Sequence, residues 1–228
     1  MKTKSAIILT FSVLVLAIST SGFSYPASMD DCDCVAPDGS CSASISCRGG
    51  CTRFCGNGGN CYAECSGGYD YLGVETTLEM SSASYPQLVT ALAHLSGKQM
   101  VFVPMRSELV FNVGFKRAPF WNALELLADQ GTVQIDGQDF DKLRRLRKLL
   151  LAGDRITLCV KNTPVGTFVS DLVGITGLPL RVTGGNPNAL VNVRVSDATL
   201  DEMLSKVSDQ TGAKISDIST TPGQQPAP

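Results

Sequence analysis

The feature that most constrains the fold of this chain is a sequence repeat with a constant offset of 80 positions (157 minus 77). Residues 77–135 align with residues 157–215 without a gap, and many aligned positions are identical. Among the identical pairs are Thr77 and Thr157, Leu92 and Leu172, Gly97 and Gly177, Asn112 and Asn192, and Leu124 and Leu204. A repeat of fixed period determines architecture more strongly than a local motif. It therefore predicts two tandem copies of one small domain.

The first copy has the residue patterns of a strand, a helix and two further strands. Apolar and polar residues alternate over 75–80, as in a strand that is buried on one face. Pro86 marks the start of a helix, and Gly97 marks its end. Strand patterns follow over 99–103 and 109–116. A second helix and a short closing strand complete the copy.

The second copy repeats this order. Its last helix begins with the capping-box spacing of Thr199 and Glu202. The predicted apolar stripe of that helix is Leu200, Leu204 and Val207. We therefore predict an α+β fold with two tandem βαββα(β) domains, over residues 71–137 and 155–217. Each domain is expected to pack its helices on a small mixed sheet and to fold independently.

A cysteine-rich segment, residues 25–70, precedes the copies. Eight of the nine cysteines of the chain lie in it: Cys32, Cys34, Cys41, Cys47, Cys51, Cys55, Cys61 and Cys65. The segment is rich in Gly, Ser and Asn, so it has too few apolar residues for a core of its own and is expected to depend on disulfides. Eight cysteines allow about 105 pairings, and their spacing does not select one. Zinc is the alternative, but the segment has no His, and most gaps between its cysteines have three or five residues rather than two.

The two ends of the chain are not predicted to belong to a folded domain. Residues 1–24 resemble an export signal, with basic residues at Lys2 and Lys4 before an apolar run. A retained signal anchor is the alternative, because sequence does not show whether the signal is cleaved. Residues 218–228 are predicted to be a disordered tail. Export predicts a periplasmic or secreted protein, in agreement with the cysteine content.

Between the copies, residues 138–154 are predicted to form a basic amphipathic helix. Its apolar face is Leu143, Leu146 and Leu150, and its basic residues are Lys142, Arg144, Arg145, Arg147 and Lys148. Such a face is either solvated or a docking surface for an acidic partner. Residues 142–150 can also contact an anionic membrane surface. We predict Arg144, Arg145 and Arg147 as candidate partner-binding residues.

Trp121 and Cys159 are single residues with two interpretations each. Trp121 follows Phe120 at the start of a helix, whereas Leu200 and Asp201 occupy these positions in the second copy. Trp121 is therefore either a packing residue or a partner contact. Cys159 is the cysteine left over, at the position of Glu79 in the first copy. It is either a free thiol or forms an intermolecular disulfide.

The repeat unit resembles the short N-terminal domain shared by secretins and TonB-dependent outer-membrane transducers. The resemblance lies in the helix ends at 92–97 and 172–177, and in the strand-to-helix segments at 113–124 and 193–204. It covers about two-thirds of the chain. The resemblance implies an envelope-exposed protein-binding module without catalytic residues. The cysteine-rich segment is outside the family pattern, and no pore domain is expected after the copies.

The distribution of reactive residues favours a protein that is not an enzyme. His94 is the only histidine and falls on the polar side of its helix, so it is expected to be an ordinary surface residue, and a metal site with several histidines cannot form. The net charge of −2 argues against nucleic acid as the main partner. We predict an exported protein–protein interaction adaptor of the cell envelope, without cofactor, metal or catalytic residue. The finer expectation is an association with a secretion or TonB-dependent transducer assembly, and the alternative is a secreted effector or inhibitor acting through the cysteine-rich segment.

Overall fold

The computed structural model describes residues 30–47, 50–65 and 67–217, and it confirms the α+β class. The predicted signal, residues 1–24, and the predicted tail, residues 218–228, lie outside the described residues. Within the described residues, no helix combines the length and the apolar composition needed to cross a membrane.

The cysteine-rich segment forms two antiparallel hairpins. Its strands are β1 (Asp30–Val35), β2 (Ser42–Cys47), β3 (Cys51–Gly56) and β4 (Asn60–Cys65). Four disulfides join the first hairpin to the second: Cys32–Cys51, Cys34–Cys55, Cys41–Cys61 and Cys47–Cys65. All eight predicted cysteines are paired, which confirms the disulfide-rich module. Cross-links replace the apolar core that this segment lacks.

The first copy begins after a short 3-10 helix at Asp70–Gly73. Its elements are β5 (Glu75–Ser84), α1 (Tyr85–Ser96), β6 (Met100–Pro104), β7 (Val110–Pro119), α2 (Phe120–Ala128) and β8 (Gly131–Ile135). Strand β5 pairs with β7, and β6 pairs with β8. The short strand β9 (Gln138–Asp139) extends the second pair, and α3 (Phe140–Ala152) then leads to the second copy.

The second copy has the same element order and the same pairing. Its elements are β10 (Ile156–Pro164), α4 (Val165–Thr176), β11 (Leu180–Gly184), β12 (Leu190–Ala198), α5 (Leu200–Thr211) and β13 (Lys214–Asp217). Strand β10 pairs with β12, and β11 pairs with β13. The tandem βαββα(β) arrangement predicted from the repeat is therefore present.

The two copies also share a bulge with a backbone conformation that L-residues rarely adopt. Ser82 in β5 and Asn162 in β10 have φ angles of 52° and 49°. In each copy the backbone N–H of this residue donates to the side-chain oxygen of an asparagine at 2.9 Å, Asn112 in the first and Asn192 in the second. The aligned asparagines of the repeat therefore hold the same bulge in both copies.

The sheets differ from the predicted mixed sheet. Every strand pairing found among the described residues is antiparallel. Each helix connects two strands that belong to different pairs, as α1 connects β5 to β6. No crossover therefore places two parallel strands side by side, and the mixed-sheet prediction was wrong in this detail.

The cysteine-rich module and the second copy share one sheet. Strand β3 lies directly beside β10, and the four-stranded order is β12-β10-β3-β4. Phe54 stands opposite Leu158, and Arg53 stands opposite Cys159. This differs from the independent second domain predicted above, because residues 155–217 alone would lack one neighbour of β10.

Helix α3 packs its apolar face into the common core. Phe140, Leu143, Leu146 and Leu150 are each at most 2% exposed. This confirms the predicted apolar face and places α3 against the cysteine-rich module and both copies.

The core face of α5 differs from its predicted stripe. Leu200 and Val207 are buried, but Leu204 is only half-buried and Met203 is fully buried instead. Residues three and seven positions after Leu200 share its face of the helix, so the core face lies one residue earlier than the repeat suggested.

Candidate protein-binding surfaces

The outer edge of β5 is open. Within the described residues, the only strand paired with β5 is β7. The equivalent strand of the second copy, β10, has β12 on one side and β3 on the other. An unpaired strand edge presents backbone N–H and C=O groups that another strand can bind. The two copies thus share the pairings of their four strands, but this edge is covered only in the second.

The missing neighbour changes the burial of the apolar side chains on β5. Leu158 and Val160 of β10 are 0% and 2% exposed beside β3. Their counterparts Leu78 and Met80 pack against the core but remain only partly buried. The open edge of β5 therefore leaves apolar surface exposed to solvent. A further strand would cover this surface.

The opposite face of β5 is acidic and solvent-exposed. Glu79 lies 3.5 Å from Lys116, and Glu75 lies 2.9 Å from Arg117. All four side chains are more than half exposed, so each pair contributes little to stability. These carboxylates remain accessible to a basic group from another molecule.

A small hollow continues this surface at the start of β5. It has a volume of about 200 Å³, and its lining includes Val74, Thr76, Leu95 and Phe120. Leu95 is 49% exposed, whereas its counterpart Ile175 is fully buried. The difference arises because the second copy packs α4 against the 3-10 helix at 70–73, while α1 has no such neighbour of comparable extent.

Strand β6 carries a second exposed apolar surface. Its outward side chains Val101 and Val103 are 55% and 61% exposed, and Met105 just beyond the strand is 76% exposed. Within the described residues β6 pairs only with β8 and so lies at the edge of its sheet. The second copy has Arg181, Thr183 and Gly185 at the equivalent positions. An apolar row on a solvated edge strand is typical of a binding surface.

Trp121 does not form the surface contact that we predicted as one of its two roles. Its side chain is 2% exposed and packs beside Phe140, with 4.9 Å between the ring centroids. The guanidinium of Arg147 lies 4.4 Å from the indole centroid. Trp121 is thus a packing residue that joins α2 to α3. Its counterpart Asp201 is exposed, and within the described residues no helix follows α5.

The three candidate arginines of α3 also make internal contacts. Arg144 pairs with Asp129 at 2.9 Å and Asp141 at 3.3 Å. The Nε of Arg145 donates to the Oδ1 of Asn60 in the cysteine-rich module at 2.8 Å. The arginines therefore help to join α3 to its neighbours, and a docking role for them remains a prediction.

The buried carboxylate of Asp171 was not anticipated from the sequence. It lies on α4, is fully buried, and accepts hydrogen bonds from the backbone N–H groups of Gly67 and Tyr69, each at 3.1 Å. Burial raises the pKa of Asp171 to about 7. The sequence offers one sign of it, which is a difference between the copies. The first copy has Ala91 at the position of Asp171.

Cys159 is a free, half-buried cysteine that packs against the disulfides of the cysteine-rich module. Opposite it, Arg53 is fully buried, and one of its guanidinium nitrogens contacts the carbonyl of Ala43 and lies 3.6 Å from Asp33. Burial lowers the pKa of this guanidinium. The structure therefore places Cys159 at the junction of the module and the second copy.

Comparison of the chain with protein-family models, with curated proteins and with solved structures finds no match.

Proposed function

We propose that this chain is an exported, non-enzymatic adaptor that binds protein partners in the cell envelope. The observation that carries the proposal is the apolar row Val101, Val103 and Met105 on the edge strand β6. Solvated strand faces normally carry polar residues, and the second copy has Arg181 and Thr183 at two of these positions. This difference between the copies is expected if the exposed apolar row of the first copy binds a partner.

The cysteine-rich module supports export. Its four disulfides are characteristic of proteins that mature in an oxidising compartment. Together with the signal-like residues 1–24, this favours a periplasmic or secreted location. The resemblance of the repeat unit to the secretin and TonB short N-terminal domain favours an association with a secretion or TonB-dependent transducer assembly.

The experiment is capture of partners from an envelope extract with the full chain as bait. The variant combines Val101→Arg with Val103→Thr, which gives β6 the residues of the second copy. The matched control combines Arg181→Gln with Thr183→Ser on β11. We expect the bait and the control to recover the same envelope protein and the β6 variant to lose it.

The outcomes separate the adaptor from other functions. Recovery of a secretin or transducer component supports the specific association. Recovery of a host or competitor protein would instead support a secreted effector or inhibitor. Equal recovery by all three baits would show that β6 is not the binding surface, and recovery of no protein by any of them would contradict the adaptor function.

A further inference from the structure

We infer that the open edge of β5 binds an extended segment of a partner protein, running antiparallel to β5, with a basic residue opposite Glu79 and a large apolar residue opposite Leu78. The inference rests on the proposed function, because it specifies the chemistry of a partner. It concerns a different strand from the apolar row of β6, so the two can fail separately.

The chain already contains such a strand pair in its second copy. Strand β3 lies antiparallel beside β10 over residues 51–56 and 156–161. Strand β5 is the counterpart of β10, with the same pairing to its inner neighbour and the same bulge. A strand that approached β5 as β3 approaches β10 would therefore meet a backbone of the same shape.

The pairing of β3 with β10 also joins two apolar side chains. Phe54 stands opposite Leu158 on the core side, and both are fully buried. At the equivalent position of β5, Leu78 is half-buried and has no partner strand beside it in the described chain. A large apolar residue opposite Leu78 would complete this contact and remove its exposed area from water.

The charged side chains of the two strands favour a basic residue in the partner. Arg53 of β3 stands opposite Cys159, and the counterpart of Cys159 in the first copy is Glu79. A basic residue in the position of Arg53 would therefore face a carboxylate on β5, and opposite charges across a strand pair stabilise it. Glu75 adds a second carboxylate on the same face of β5, four residues before Glu79.

The geometry also argues against a second copy of this chain as the occupant. Strand β3 is tied to the first hairpin by Cys32–Cys51 and Cys34–Cys55 and is fully buried, so it cannot leave its own chain without breaking the module. Pairing of β5 with β5 of another copy would bring four glutamates onto one exposed face. Like charges on neighbouring strands destabilise such a pair.

The test uses a peptide that copies β3. The probe is a fluorescein-labelled peptide with the sequence of residues 50–57, carrying Cys51→Val and Cys55→Val so that it cannot form disulfides. Binding to the full chain is followed by fluorescence polarisation, and the site is located by amide hydrogen exchange. We expect saturable binding and slower exchange at residues 76–81, with no change at residues 156–161.

Two changes test the stated chemistry. Glu79→Arg in the protein should weaken binding about fivefold or more, and Arg53→Glu in the peptide should restore binding to that variant. Asp209→Arg, at an exposed position on α5 of the second copy, is the matched control and should bind as the wild type does. A peptide with alternate backbone nitrogens methylated should not bind, because it cannot donate the main-chain hydrogen bonds.

The other outcomes each overturn the inference. No binding at about 1 mM peptide, or slower exchange at residues 100–104 instead of 76–81, would exclude β5 as the acceptor while leaving partner capture through β6 intact. Slow exchange at 76–81 before peptide is added would mean that another segment of the chain covers this edge. A dimer that the peptide dissociates would assign the edge to a second copy.

Discussion

The carboxylate of Asp171 accepts a hydrogen bond from the backbone N–H of Tyr69 at 3.1 Å, across 102 positions of sequence. A second hydrogen bond from Gly67 holds the same segment, which leaves the cysteine-rich module. Beside it, β3 pairs with β10. The module is therefore attached to the second copy by a shared sheet and by a buried carboxylate.

Replacement of Asp171 should destabilise the whole chain. Asp171→Ala leaves two backbone N–H groups without their acceptor at a buried position, and a buried donor without a partner costs about 1–3 kcal/mol. Chemical denaturation should show this loss in the free energy of unfolding. Asp209→Ala, at an exposed position of α5, is the control and should change stability by less than about 0.5 kcal/mol. Equal stability of the two variants would contradict a structural role for Asp171.

Stability should depend on pH through the same carboxyl group. Burial raises the pKa of Asp171 from its ordinary value of 3.8 to about 7. Between these values the folded chain retains a proton that the unfolded chain releases, so the free energy of unfolding falls as pH rises, by at most about 1.4 kcal/mol per pH unit. The contribution is present below pH 3.8 and lost above about 7.

Asp171→Asn isolates this effect from other titrating groups. Its amide does not titrate, so the stability of the wild type relative to the variant should be higher at pH 5 than at pH 8. Denaturation curves of both proteins at several pH values measure the difference. A difference that stays constant with pH would mean that Asp171 titrates near its ordinary value.

Thiol chemistry should give a defined count and a defined pairing. The chain has nine cysteines, and four disulfides leave only Cys159 free. Mass spectrometry should find one alkylated cysteine in the denatured, unreduced protein and nine after reduction. Peptide mapping should recover the Cys32–Cys51 and Cys47–Cys65 bridges. An intermolecular dimer that is lost in Cys159→Ser would contradict the free thiol.

The second copy should depend on the module for its stability. A fragment of residues 155–217 lacks β3 and so exposes Leu158, which is fully buried in the whole chain. We expect this fragment to melt at a lower temperature than residues 30–217, and with a broader transition. Thermal melts followed by circular dichroism compare the two. Equal melting temperatures would show that the copy is independent, as the repeat alone suggests.

Local sequence patterns were sufficient to predict the elements of both copies. Strand alternation, helix caps such as Gly97 and Gly177, and the constant offset of the repeat each depend on residues close together in the chain. The same holds for the disulfide-rich module, because its composition alone excludes an apolar core. The prediction for Leu204 was wrong. The repeat placed Leu204 in the core, whereas the structure places Met203 there.

The sequence by itself thus determined that the chain contains two βαββα(β) units, a disulfide-rich module and an amphipathic helix. Only the tertiary structure decided the cysteine pairing, the insertion of β3 beside β10, the burial of Trp121 and the open edge of β5. The physical reason is that two copies with the same local pattern form the same elements but pack against different neighbours. Those neighbours are distant in sequence, and packing between distant segments leaves no periodic signal in the residues that make it.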